Sequence, residues 1–159
     1  MNKVAVDTNP LVYIYNDFDV LGRDYAVLLE QLSRKNVLII PKIVYGELSL
    51  IFDGPDDLKP FLIDTGIVIG DMSPDAYIVA AKRWQTYNER RVLSCHRCGA
   101  RLGQLSCKKC QSVINIRQHV LSDFLIGAFA LEAGGRIVTH DKGYFSTYFP
   151  ELDILTVDR

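Results

Sequence analysis

The chain has 159 residues, 48% hydrophobic and 23% charged, with a formal net charge of −1. That length suits one domain with its own core, and the composition excludes a disordered or collagen-like chain. "FLIGAFAL", the most apolar stretch, is too short to cross a bilayer, and "MNKVAVDTN" meets Asp7 too early to read as a secretory signal, so a cytoplasmic protein with no membrane partner is expected.

In chain order, "KVAV" (3–6) is an apolar run of the buried-strand type. Asn9 is then expected to cap a helix with Pro10 at its first position. "RDYAVLLEQLSRKN" (23–36) has helical spacing, with Tyr25, Leu28, Leu29 and Leu32 on one face. "VLII" (37–40) reads as a second strand, "KIVYGELSLIF" (42–52) as an apolar helix and "DGPDD" (53–57) as a turn. "GIVIG" (66–70) is a third strand. Residues 73–91 open with a Ser cap, a Pro and an early Asp, the marks of a helix start. "SDFLIGAFALEAGG" (122–135) is a helix with a glycine stop, "RIVT" (136–139) a fourth strand and "DILTV" (153–157) a fifth. Strands alternating with helices predict an α/β fold with a mostly parallel sheet covered on both faces.

Net charge hides an asymmetry. Residues 89–117 hold seven basic residues against Glu89, a balance of +6, while the remainder holds eleven basic against eighteen acidic residues, or −7. An acidic body with a basic segment points to acid-based chemistry beside an anion-binding surface. All four cysteines lie in that segment, as Cys95-x2-Cys98 and Cys107-x2-Cys110. Two such pairs can complete a tetrahedral sulfur site for structural Zn2+, with iron the alternative for the same sulfurs. So short and polar a stretch buries no core, so the metal would have to supply its folding free energy. The expected organisation is a main domain over 1–92 and 115–159 interrupted by a zinc ribbon over 93–114. Arg97, Arg101, Lys108 and Lys109 on that ribbon would suit an RNA backbone.

Four carboxylates stand where a merely structural acid is costly or unneeded. Asp7 closes the first strand and Asp141 the fourth, and ligands of open α/β sheets bind outside the strands' carboxyl ends. Glu47 and Asp123 lie on apolar helices. Gathered together they would repel one another unless a hard cation such as Mg2+ or Mn2+ were present. Taken singly, each has a bland reading as a turn former, a helix first-turn acid or a solvent-facing residue.

"VAVDTNPLVYIY", "PKIVYGEL", "LSDFLIGAFALEAGG" and "IVTHDKGYF" together resemble, in order, four motifs of the PIN-domain nuclease superfamily, nearest its VapC-type toxins. The resemblance covers nearly the whole chain outside the ribbon. It implies a three-layer α/β/α sandwich and divalent-metal-dependent RNA endonuclease activity. Asp7, Glu47, Asp123 and Asp141 would be metal ligands, Thr8, Asn9 and Thr139 supporting residues, and Phe145 the aromatic of the last motif. It implies also a homodimer and an antitoxin partner. Many relatives carry a further acid where this chain has Gly143. Zinc ribbons accompany ribosome-maturation PIN nucleases, so maturation of rRNA stands beside the toxin as a role. A catalytically weak RNA-binding module using the ribbon is the alternative from another class.

Overall fold

The computed structural model describes residues 2–16, 19–90, 92–93, 100–103, 105–114 and 119–157. Within them lie five strands, β1 (Asn2–Val6), β2 (Asn36–Pro41), β3 (Val68–Gly70), β4 (Arg136–Val138) and β5 (Asp153–Leu155). Seven helices accompany them: α1 (Thr8–Tyr15), α2 (Asp19–Ser33), α3 (Lys42–Ile51), α4 (Pro55–Thr65), α5 (Pro74–Arg90), α6 (Leu121–Ala133) and α7 (Lys142–Tyr148). All five expected strands are present, and every pairing in the sheet is parallel.

The strand order is β3-β2-β1-β4-β5. From β1 the chain builds outward through β2 and β3, then returns to lay β4 on the other side of β1. The direction of winding therefore reverses between β1 and β4, which opens a crevice beyond their carboxyl ends. Val4, Ala5 and Val6 are all fully buried, as are, or nearly so, Leu38, Ile39 and Ile40. Side chains of successive strand residues point to opposite faces, so unbroken burial requires cover on both. Helix α2 packs against β2, and α6 against β1 and β4.

Two local expectations are corrected. Asp7, not Asn9, caps α1, its carboxylate accepting from the Thr8 N–H at 2.7 Å. Pro10 becomes the third helical residue, where the missing N–H is still outside the helical ladder. "DGPDD" is a turn only as far as Gly54, whose φ of 123° lies in glycine's territory. Pro55 then starts α4, with Asp56 and Asp57 in the first turn complementing the helix dipole. Leu58 and Leu62 seat that helix on the core, a one-turn spacing short enough to be missed in the sequence. After Asp141 the chain forms helix α7, and Gly143 lies inside it.

Helix α6 is the most deeply buried helix, with Phe124, Ile126, Gly127, Ala128, Phe129 and Ala130 all in the core. It ends at Gly134 and Gly135, with φ of 138° and 77°. At Gly127 the ring of Phe149 occupies the space of a side chain: a Cβ would sit 2.3 to 2.6 Å from three ring carbons. Ser73 caps α5 as expected, its hydroxyl accepting from the Ala76 N–H at 3.3 Å. No helix among the described residues is long and apolar enough to cross a membrane.

Candidate active site

Asp7 follows β1 directly, and its own N–H donates to the Val138 carbonyl at 2.9 Å, extending the β1–β4 ladder by one bond. The crevice at this point is an open cleft of about 450 Å³. Its lining includes Asp7, Glu47, Asp123 and Asp141, so chain segments far apart in sequence deliver all four expected acids to one place. Thr8 and Asn9 line it too.

A chain of hydrogen bonds ties three of these acids together. The Thr8 hydroxyl donates to Glu47 Oε2. Asp7 accepts from the Thr8 N–H on one oxygen and from the Thr139 hydroxyl, at 2.7 Å, on the other. Thr139, which is fully buried, in turn accepts from the Asp141 N–H at 3.0 Å. One hydroxyl thus fixes the strand-end acids of β1 and β4 relative to each other. Asp141 caps α7, accepting from the Tyr144 N–H at 3.1 Å. Asp123, in the first turn of α6, accepts from the Val120 N–H at 2.9 Å, and His119 Nδ1 lies 3.4 Å from the same oxygen. The turn-forming and capping uses of these acids coexist with their places in the cleft, because a carboxylate has two oxygens and about four lone pairs.

The electrostatics are those of crowded negative charge. Asp7 is only 7% exposed, and its carboxyl is pushed up to about 6 from an ordinary 3.8. Loss of water on burial is the main cause; Asp123 and Glu47 add repulsion, and the bonds from Thr139 and Thr8 hold the rise back. The phenol of Tyr144 is pushed upward by burial and by the charges of Asp123, Asp141 and Asp7. These hard oxygen donors, short of positive partners, suit a divalent cation by chemistry. As placed, no three His, Cys, Asp or Glu side chains among the described residues form a ready-made metal cluster.

Several lining residues were not anticipated. Ser122, Tyr144, Leu50 and Ile51 all border the cleft, the last two exposed on the outer turn of α3. Tyr144 could have been found had α7 been foreseen, since its position three residues after Asp141 puts it one helical turn away. Phe145, expected as the motif's aromatic, is buried and borders the cleft as well.

The basic segment is described in part. Cys95, Arg97 and Cys98 lie outside the described residues. Residues 105–114 fold back as a hairpin: Ile114 N–H donates to Leu105 O and Cys107 N–H to Ser112 O, each at 2.8 Å, around an antiparallel bridge between Ser106 and Val113. Gln111 takes a φ of 60° at its tip. Cys107 and Cys110 approach each other there, and the Cys110 thiol is lowered to about 7, chiefly by the Ser112 hydroxyl and then by the Ser112 backbone and Cys107. Lys108 and Lys109 are exposed on the hairpin, and Arg101 is exposed in the preceding stretch.

Fold and cleft define a class: a parallel α/β domain with acids gathered at the point where its sheet reverses direction. The PIN-domain model matches residues 4–150, and the chain belongs to the PIN-domain family. The fold is similar to a chain in the crystal structure of VapBC2 from Rickettsia felis bound to a DNA fragment from their promoter. That likeness has a TM-score of 0.64 and 18% identity, over 98% of this chain and 99% of that one. No curated protein matches the sequence.

Proposed function

We propose that the chain is an RNA endonuclease that hydrolyses phosphodiester bonds with Mg2+ or Mn2+ held by Asp7, Glu47, Asp123 and Asp141. The observation that carries this reading is the state of Asp7: a buried carboxylate, raised to about 6, among other acids in an open cleft. A protein gains nothing in stability from such crowding, whereas a hard cation turns it into a binding site. When bound, that cation supplies an acidified water and a counter-charge for the scissile phosphate. The chain's own residues orient the ligands. Thr139 and the Thr8 N–H hold Asp7, the Thr8 hydroxyl holds Glu47, and the cap of α7 aims Asp141. Hydrogen bonds of this kind to metal-binding carboxylates tune both affinity and orientation.

The exposed lysines of the 105–114 hairpin would hold the RNA backbone beside the cleft, with Arg97 and Arg101 sharing that work. Structural Zn2+ on Cys95, Cys98, Cys107 and Cys110 is part of the same reading, supported by the convergence of Cys107 and Cys110 at the hairpin tip. The likeness to a VapBC2 chain supports a toxin with an antitoxin partner ahead of a maturation nuclease, and a homodimer is what the family resemblance implies. The test is incubation of purified protein with single-stranded RNA and Mn2+. Asp7→Asn should abolish cleavage, and cleavage by that variant at the wild-type rate rejects the assignment. Tight RNA binding without any cation-dependent turnover would favour the binding-module reading instead.

A further inference from the structure

Tyr144 presents a contradiction that packing does not explain. The residue is 5% exposed, and its hydroxyl is buried with no hydrogen-bond partner among the described residues. A buried hydroxyl left unpaired is destabilising, because it has lost its water without gaining a partner. The ring itself is well seated: it stacks on His119 at 4.3 Å and 23°, and meets Phe124 and Phe145 edge-on at 5.3 and 4.8 Å. Phenylalanine would make every one of those contacts without the orphaned oxygen. The hydroxyl therefore serves something other than the core.

Its surroundings point to what. Tyr144 lines the acid cleft, and its backbone N–H already holds Asp141. Asp123 adjoins the ring through two neighbours: the ring stacks on His119, whose Nδ1 lies 3.4 Å from Asp123 Oδ2, and meets Phe124, the next residue of α6, edge-on. Both polar contacts of Asp123, with the Val120 N–H and His119 Nδ1, fall on Oδ2. Oδ1 carries neither. The phenol is a donor at neutral pH, and Oδ1 is an acceptor with no donor among the described residues.

We propose that Tyr144 is a positioning residue of the cation site, whose hydroxyl donates to Asp123 once a divalent cation offsets the repulsion among the carboxylates and draws them together. The inference rests on the cation-binding reading of the cleft. Asp123 and Glu47 both repel the Asp7 carboxylate, and a bound cation would offset that repulsion. The ring cannot swing to meet Asp123, being clamped by its aromatic neighbours, so the carboxylate comes to the phenol. The hydroxyl then fixes the orientation of that ligand, the role taken by hydrogen-bond partners around many bound metals.

Tyr144→Phe tests this without altering the packing. Mn2+ affinity, measured by the loss of free-ion paramagnetic resonance signal, should fall about tenfold or more in the variant. Its melting temperature in chelator should equal or exceed that of wild type, because a costly hydroxyl has been removed, while the rise in melting temperature on adding Mn2+ should shrink. Unchanged Mn2+ affinity overturns the proposal. So does a lower melting temperature in chelator together with an unchanged Mn2+-induced rise, which would mark the hydroxyl as structural. Asp7→Asn run alongside separates the two readings. If it keeps wild-type Mn2+ affinity, the cation site itself falls; if it loses Mn2+ while Tyr144→Phe does not, only the role of Tyr144 falls.

Discussion

The Thr139 hydroxyl donates to the Asp7 carboxylate across 2.7 Å, joining residues 132 positions apart at the ends of two neighbouring parallel strands. The same oxygen accepts from the Asp141 N–H, so it sits at the centre of the acid cluster. Thr139→Val keeps the shape and removes both bonds. The variant should fold, lose about 1–3 kcal/mol of stability and bind Mn2+ about 10- to 100-fold more weakly. Chemical unfolding and a Mn2+ titration measure the two effects, and wild-type Mn2+ affinity would contradict the role given to Thr139.

Asp7 makes stability depend on pH in an unusual direction for a carboxylate. Its folded value, about 6, lies above the ordinary 3.8, so between those values the folded state keeps a proton that the unfolded chain has lost. The folded state is then relatively favoured below about pH 4 and loses that advantage as pH rises through about 6. At pH 7 the ionised group costs about 3 kcal/mol, taken from the shift itself. Asp7→Asn, unfolded by heat in chelator, should therefore gain on wild type more at about pH 7 than at about pH 4. A stability gap that stays constant across that range would refute the assignment. Mg2+ added at neutral pH should stabilise wild type and leave the variant unmoved.

Gly127 is the point where α6 admits the Phe149 ring. Gly127→Ala places a methyl within 2.6 Å of three ring carbons that have nowhere to go, since Phe149 is fully buried. The favourable helix propensity of alanine, about 1 kcal/mol, is outweighed by overpacking of roughly 1–3 kcal/mol or more. A measured loss of stability is expected, and a gain would show that α7 and its following residue shift freely.

Lys108 and Lys109 are exposed on the hairpin, so reversing their charges leaves the core untouched. Lys108→Glu with Lys109→Glu should weaken single-stranded RNA binding. It should also flatten the salt dependence of the affinity by about 0.7 in the log–log slope for each phosphate that the lysines no longer neutralise. Equal affinity and an equal slope would remove the hairpin from the RNA path.

A fifth test concerns Arg83, which reaches from α5 to the chain just after α7. Its guanidinium donates to both oxygens of Glu151 at 2.9 and 2.7 Å and to the Tyr148 carbonyl at 2.6 Å, and it lies 4.6 Å over the Phe149 ring. The pair holds the Glu151 carboxyl down at about 2, with the Arg83 hydrogen bond as the chief cause. Glu151 is more than half exposed, which limits the ion pair to about 1 kcal/mol, so most of the loss in Arg83→Ala should come from the carbonyl bond and the ring contact. Thermal unfolding of Arg83→Ala and Glu151→Gln compares the two, with the larger drop expected for arginine. Equal drops would put the effect in the ion pair instead.

The strands and long helices were legible in the sequence because their signals are local. A buried parallel strand is an unbroken apolar run, and α5 begins with Ser73, Pro74 and Asp75, each suited to its position by its own chemistry. Asp7, Glu47, Asp123 and Asp141 could be picked out because each stood in an apolar context or at a strand end. Helices α4 and α7 escaped because their buried apolar residues span one turn or less, Leu58 to Leu62 in α4 and Tyr144 to Phe145 in α7, and Gly54 beside Pro55 argued for a turn. What no local signal could supply was convergence. The reversal of strand order between β1 and β4 sets Asp7 beside Thr139 and Asp141, and only packing of α3 and α6 at that edge adds Glu47 and Asp123. Tyr144 gives the plainest case: its ring is core in the fold, and whether its oxygen finds a partner depends on what every neighbouring segment brings to that spot.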